Sequence, residues 1–350
     1  MKTDNKRARY WKWPSQGAFV DHIVAGLQWE RESTAERWRF WSAEEIDKEL
    51  DRYREQLRHY LNMNARPPIA RYESEGERKL DGFVVNTMNL QLEDGTRLPF
   101  TLGMPSRPLS PPRIVIALHG TNESMEYPLG NLIGPARRGH ENVPGFARPL
   151  LEAGYYVVSP DLPSFGRRLE PIEQYAQLAM LTGSSYLEKA VGEVSTLIDW
   201  IKSNPELNAY TLGIVGFSLG GQVAVATAAC DLRIDSVIDI GGWSTYETVF
   251  RLEPDMIAKR VYICGSGFLG VLGDMWRLAA AIAPRPILRI AAEEDEYNPL
   301  AGVRDTMALL SHIYAAHGSD ELLRLYVHPG IHDVAPQTPQ QLVEWFNETM

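Results

Sequence analysis

The sequence is short of cysteine, of excess positive charge and of long hydrophobic runs, and each shortage excludes a class of protein. Only two cysteines, Cys230 and Cys264, occur in 350 residues, without metal-ligand spacing, so we expect two buried thiols and no disulfide framework. A formal net charge of -10 argues against nucleic acid or an anionic membrane as the main partner. No apolar run approaches the length of a membrane span, and the charged first residues lack a signal-peptide core. We therefore expect a soluble, cytoplasmic protein.

The patterns that mark cofactor, metal and nucleic-acid sites are also missing. The sequence has no glycine-rich phosphate loop with its lysine and no His/Glu metal motif. The basic, aromatic stretch at residues 6–13 is short and belongs to an acidic chain, so we do not expect it to bind nucleic acid or a membrane. We expect no cofactor and no metal, and a small-molecule substrate as the partner.

Beyond residue 79 the hydrophobic pattern alternates between strands and helices. Two strand patterns flank an Asp-Gly turn and predict a hairpin at 83–92 and 98–102. Further strands are expected at 114–118, 155–161, 210–215, 236–240, 286–291 and 322–327, with helices at 144–153, 186–202, 300–317 and 339–347. This alternation predicts an α/β fold with a mostly parallel central sheet and helices on both faces.

Residues 1–78 differ in composition and predict a helical N-terminal segment. Ser42 and Glu45 form a capping-box pattern, and apolar residues then recur every three or four positions from Ile46 to Tyr60. An earlier helix is expected at 33–41. The segment could be a cap, internal packing or a dimerisation arm, so a homo-oligomer stays open. Residues 79–350 form the main domain, with an insertion around 243–284 that we expect to contribute to the substrate pocket.

Residues 216–220, Gly-Phe-Ser-Leu-Gly, fit a turn that presents a nucleophilic serine. A strand pattern precedes them and a small-residue helix pattern at 221–229 follows, which is the context of a nucleophile elbow. The flanking glycines leave room for neighbouring backbone, and the helix N-terminus favours the negative charge that develops during attack. Ser218 is therefore the candidate nucleophile.

A serine nucleophile needs a base, and the base needs an acid to orient it. His332 follows the last predicted strand and Asp295 follows the strand before it. The chain order Ser218, Asp295, His332 is that of α/β-hydrolases. The acid could instead be one of three neighbouring glutamates, namely Glu293, Glu294 or Glu296.

An oxyanion hole requires two backbone N–H groups directed at one point. Leu219, directly after the serine, is expected to supply one of them. The loop after strand 114–118 is expected to supply the other, from Thr121 or Asn122. Trp243, at the end of a predicted strand, is expected to line the substrate pocket.

Three other polar residues near strand ends receive structural roles. We expect His119 and Asp161 to hold their loops through hydrogen bonds to backbone groups. His328 lies only four residues before His332 and is expected to end the last strand.

Together these motifs resemble the α/β-hydrolase superfamily across roughly residues 80–350. Within it the chain is similar to the dienelactone-hydrolase-like and acetylxylan-esterase-like serine hydrolases. The resemblance rests on His119 with Gly120, on residues 159–167 and 216–220, on Asp295 with Pro299, and on residues 330–332. The Asp-x-x-x-Pro spacing resembles the acid loop of acetylxylan-type esterases, whereas dienelactone hydrolases proper carry a cysteine in the place of Ser218.

The sequence leads to a serine hydrolase that cleaves carboxylic esters through an acyl-enzyme. Ser218 is expected to attack the carbonyl, His332 to take its proton and Asp295 to orient the imidazole. A serine peptidase or a C–C bond hydrolase on the same scaffold is an alternative, because a triad does not reveal the leaving group. A non-catalytic binding protein that retains the fold is another.

Overall fold

A nine-stranded sheet forms the centre of the computed structural model, which describes residues 19–80, 82–130, 145–207, 211–252 and 263–350. The strands are β1 Ile69–Leu80, β2 Phe83–Leu92, β3 Arg97–Pro105, β4 Arg113–Leu118, β5 Tyr156–Pro160, β6 Thr211–Phe217, β7 Ser236–Ile240, β8 Ile287–Ala292 and β9 Leu323–His328. Their spatial order is β1-β2-β3-β5-β4-β6-β7-β8-β9. The pairs from β1 to β5 are antiparallel, and those from β5 through β4 to β9 are parallel.

Helices cover both faces of this sheet, as predicted. In chain order they are α1 Phe19–Trp38, α2 Ala43–Tyr60, α3 Arg148–Glu152, α4 Ile172–Leu181, α5 Tyr186–Ser203, α6 Leu219–Cys230, α7 Tyr246–Leu252, α8 Phe268–Leu272, α9 Met275–Ala280, α10 Leu300–Ala316 and α11 Thr338–Thr349. One buried cluster joins the sheet to α1, α2, α5, α6, α9 and α10. A second cluster joins its other face to α3 and α11.

The connections place a reversal of chain direction at the middle of the sheet. From β4 the chain runs to β5 on one side, and it then returns to β6 on the other side of β4. In open α/β sheets ligands bind outside the carboxyl ends of the strands at such a switch point. The segments after β4 and β6 therefore lie where a site is expected.

The N-terminal helices are part of the main core. Ser42 and Glu45 form the predicted capping box, and the buried stripe of α2 consists of Ile46, Leu50, Tyr53 and Leu57. Arg54 donates from Nε to the Ala281 carbonyl at 2.8 Å and from Nη2 to the Ala283 carbonyl at 2.6 Å. The segment thus packs against the main domain, and a role as a cap or as a dimerisation arm stays a prediction.

Two predictions about this segment are wrong. The first helix spans Phe19–Trp38 rather than 33–41. Residues 69–78 belong to β1, an edge strand paired with β2, so the predicted boundary at 78 falls inside a strand. The side chains of β1 are almost all exposed, because main-chain pairing rather than an apolar face holds it.

The insertion around 243–284 contains α7, α8 and α9 and packs against the N-terminal helices. The indoles of Trp38 and Trp276 meet edge to face with centroids 5.7 Å apart. Arg31 on α1 donates to Glu247 on α7 at 2.9 Å. Residues 6–13 and 253–262 lie outside the described residues, and a contribution of the insertion to the substrate pocket stays a prediction.

Candidate active site

Ser218 occupies a strained turn between β6 and α6. Its backbone angles are φ 53° and ψ −116°, a positive φ that a residue with a Cβ rarely adopts. A Cβ on Gly216 would lie 2.1 Å from the Gly220 carbonyl oxygen, and one on Gly220 would lie 2.4 Å from the Leu118 carbonyl oxygen. Both glycines are therefore required by the close approach of backbone, as predicted for an elbow.

The structure brings the three sequence-predicted side chains into one chain of hydrogen bonds. His332 Nε2 lies 2.8 Å from Ser218 Oγ, and His332 Nδ1 lies 2.8 Å from Asp295 Oδ2. An ionised carboxylate can only accept, so Nδ1 carries the hydrogen and donates it to Asp295. Nε2 is then the acceptor for the Ser218 hydroxyl, which is the arrangement that a general base requires.

Two aromatic rings hold the imidazole of His332 in place. The ring of Phe217 stacks on it with a centroid distance of 5.3 Å and an interplanar angle of 28°. The ring of Tyr297 lies 5.0 Å away at 58°. Sequence reasoning missed both contacts, although Phe217 lies inside the elbow pentapeptide and Tyr297 follows Asp295 by two residues.

Asp295 is the acidic residue that contacts the histidine, and the three nearby glutamates are exposed. Its Oδ1 accepts the N–H groups of Tyr297 at 2.9 Å and Asn298 at 2.8 Å. Burial alone would raise the pKa of the Asp295 carboxyl, but these bonds and the one from His332 outweigh burial and lower it. The carboxyl is therefore held in its charged, accepting form.

The expected oxyanion donors surround the elbow. Leu219 is the first residue of α6, and the first N–H groups of a helix have no acceptor within it. The loop after β4 lies against the elbow, since a Cβ on Gly120 would be 3.4 Å from Ser218 Cβ. Thr121 and Asn122 are both exposed in this loop, and Asn122 has φ 67°. Which of them donates stays a prediction.

His119 and Asp161 have the structural roles expected of them. The Leu162 N–H donates to His119 Nε2 at 3.0 Å, so Nδ1 carries the hydrogen and donates to the Gly120 carbonyl at 2.7 Å. The Asp161 carboxylate accepts the N–H groups of Met125 at 2.7 Å and Arg167 at 2.9 Å. These bonds hold the loops after β4 and β5 together beside the elbow. His328 ends β9, also as predicted.

Trp243 does not line an open pocket, and that prediction is wrong. Its side chain is 1% exposed and belongs to the main buried cluster. The Arg289 guanidinium lies over its ring, 5.2 Å from the centroid, and donates from Nη2 to the Trp243 carbonyl at 2.6 Å. Arg289 Nη1 also bonds the buried Asp239 carboxylate. The buried ion pair was missed because isolated charged residues within strand patterns carry no recognisable signal.

Asp239 explains a glycine on the elbow helix. A Cβ on Gly221 would lie 2.2 Å from Asp239 Oδ1. We predict that Gly221→Ala lowers the free energy of unfolding by about 1–3 kcal/mol in urea titrations. The matched control is Gly192→Ala on α5, where a Cβ would meet only the Arg66 side chain at 3.8 Å; it should be neutral or stabilising by up to about 1 kcal/mol. Equal effects of the two substitutions would contradict this explanation.

Comparison with known proteins shows the family of this chain. A family model described as "Alpha/beta hydrolase family" matches residues 115–345, more than half of the chain. This chain belongs to the alpha/beta hydrolase family. It is also 24% identical over 249 residues to YtaP of Bacillus subtilis (strain 168), whose name assigns it provisionally to the hydrolases. That match covers 69% of this chain and 80% of YtaP.

Two solved structures share the alpha/beta hydrolase fold of this chain. One, from Bacteroides fragilis NCTC 9343 and described provisionally as an acetyl xylan esterase, has a TM-score of 0.68 and 18% identity, covering 83% of this chain and 77% of its own. The other, a glucuronoyl esterase from Solibacter usitatus, has a TM-score of 0.64 and 17% identity. The match covers 83% of this chain and 91% of the esterase.

Within the described part of this alpha/beta hydrolase, no helix combines the length and apolar character needed to cross a membrane. The same residues contain no group of three His, Cys, Asp or Glu side chains arranged to hold a metal ion.

Proposed function

We propose that this alpha/beta hydrolase is a serine hydrolase of carboxylic esters that works through an acyl-enzyme. The observation that carries the proposal is the continuous chain of 2.8 Å hydrogen bonds from Asp295 through His332 to Ser218. Ser218 stands in the strained turn at a helix N-terminus, where a nucleophile is exposed and a developing negative charge is favoured.

Each residue has one task in the proposed reaction. Ser218 Oγ attacks the ester carbonyl while His332 Nε2 takes its proton, and the Asp295 carboxylate stabilises the imidazolium that forms. The N–H of Leu219 and one from the loop after β4 hold the oxyanion of the tetrahedral intermediate. His332 then protonates the leaving alcohol, and a water molecule that His332 activates releases the acid from Ser218.

An ester is the substrate class that the relatives favour. Two fold neighbours have names that refer to esterases. One is described provisionally as an acetyl xylan esterase, and the other is named a glucuronoyl esterase. The triad by itself is equally suited to amides, so the leaving group is the part of the proposal that needs a direct test.

A pair of chromogenic substrates tests the leaving group. The purified protein should hydrolyse p-nitrophenyl acetate and leave an aminoacyl p-nitroanilide intact. Faster cleavage of the anilide would replace the esterase by a peptidase. Cleavage of neither substrate, together with an absence of labelling by a fluorophosphonate, would favour a non-catalytic protein. A panel of acyl p-nitrophenyl esters of increasing chain length would then define the acyl preference.

A further inference from the structure

A four-residue turn that begins at the last residue of β7, residues 240–243, contacts all three segments of the candidate triad. The Ser218 N–H donates to the Ile240 carbonyl at 2.8 Å, which ties the elbow to the turn. Asn298 Nδ2 donates to the Gly241 carbonyl at 2.7 Å, which ties the loop that carries Asp295 to the turn. A Cβ on Gly241 would lie 3.2 Å from His332 Cε1, so the imidazole rests on the backbone of the turn.

A buried ion pair between β7 and β8 fixes the backbone conformation of this turn. Asp239 on β7 and Arg289 on β8 are directly opposite in the parallel register, and both are fully buried. Asp239 Oδ1 accepts the Gly242 N–H at 2.9 Å. Arg289 bonds Asp239 through Nη1 and the Trp243 carbonyl through Nη2. The guanidinium thus bridges the residue before the turn, Asp239, and its last residue, Trp243.

We propose that Arg289 and Asp239 are positioning residues that hold Ser218, His332 and Asp295 at reacting distance through the 240–243 turn. This inference rests on the proposed serine hydrolase function. Neither residue touches a reacting atom, so their effect is on alignment alone. Displacements on the order of 1 Å in such a constellation cost about 100-fold in rate.

The energetics of the pair favour a role beyond stability. Two charges removed from water carry a desolvation cost that their attraction often fails to offset, and hydrophobic replacements of similar volume are often neutral or stabilising. Apolar residues at these two paired strand positions would therefore stabilise the core equally well. What an apolar pair lacks is the hydrogen bond from Arg289 to the Trp243 carbonyl, which fixes the turn.

A double replacement tests the proposal without leaving a buried charge unpaired. Asp239→Asn with Arg289→Met keeps the side-chain volumes and removes the bridge. For p-nitrophenyl acetate we expect kcat to fall by about 10- to 100-fold while KM stays within about two-fold. The low-field proton NMR resonance of His332 Nδ1–H should weaken or shift. A folded double variant with wild-type kcat and an unchanged resonance would overturn the proposal.

Asn298→Ala provides a second variant that leaves the buried pair intact. It removes the link from the loop that carries Asp295 to the Gly241 carbonyl, and it should lower kcat in the same direction. If the double variant does not fold, wild-type kcat in Asn298→Ala overturns the proposal. Arg289→Lys keeps the charge but replaces the guanidinium, which donates through two nitrogens, by a single ammonium. We expect its kcat to lie between the wild-type and double-variant values.

Arg233→Met is the matched control for loss of an arginine pair. Arg233 bonds Asp231 and Asp199 just beyond the C-terminal end of α6, at the opposite edge of the sheet. Its replacement should leave kcat and the NMR resonance unchanged; an equal loss of kcat would show a general effect of destabilisation. The proposed function fails separately, either if the wild-type protein does not hydrolyse the ester or if Ser218→Ala hydrolyses it at the wild-type rate.

Discussion

Ser218→Ala should abolish ester hydrolysis, with turnover reduced on the order of 10⁴- to 10⁶-fold, because the proposed acyl-enzyme forms on the Ser218 hydroxyl. The fold should persist, since within the described residues the Ser218 hydroxyl bonds only His332 and contributes little packing. The measurement is kcat with p-nitrophenyl acetate, together with a thermal melt of the same preparation.

Ser311→Ala is the control for this substitution. Ser311 lies on the exposed face of α10, and its hydroxyl bonds only the Ala308 carbonyl one turn earlier. We expect wild-type turnover from this control. Turnover near the wild-type value in pure Ser218→Ala would end the proposed mechanism, whatever the other variants show.

Asp295→Asn should lower kcat by on the order of 10³- to 10⁴-fold while the fold is retained. The asparagine keeps the shape of the carboxyl but loses the charge that stabilises the imidazolium. If its amide NH₂ faces His332, it also favours the tautomer whose Nε2 carries the hydrogen, which cannot accept the Ser218 proton. Glu293→Gln, an exposed change in the same loop, should leave kcat within about two-fold of wild type.

The two carboxyl substitutions decide which acid serves the histidine. A collapse of kcat in Glu293→Gln with an active Asp295→Asn would move the assignment to the glutamate. Glu293 and Glu294 use their N–H groups to bond the carbonyls of His328 and Gly330 across to β9 and the following loop. Their backbone therefore supports the loop while their side chains face water.

The elbow and its partners were predictable because their signals are local. The pattern consists of a glycine on each side of Ser218, a strand before it and a helix after it. All of these lie within about 20 residues of sequence. The positions of Asp295 and His332 followed from the alternation of strands and helices, because the carboxyl ends of parallel strands meet at one edge of the sheet.

The features that escaped prediction depend on contacts between distant segments. The Asp239–Arg289 pair exists only because β7 and β8 are neighbours in one register. The strand β1 has no apolar face to give a period of two, and α4 at Ile172–Leu181 was not anticipated. Trp243 stood at a strand end, where pocket and core residues look alike in sequence.

Covalent labelling of Ser218 is the most direct test of the account. The wild-type protein, treated with a fluorophosphonate and digested, should carry the label on the peptide that contains Ser218, and hydrolysis of p-nitrophenyl acetate should be lost in proportion to labelling. The Ser218→Ala variant should take up no label. Labelling at another residue with loss of activity, or an unlabelled wild-type protein that hydrolyses the ester, would contradict the assignment of Ser218 as the nucleophile.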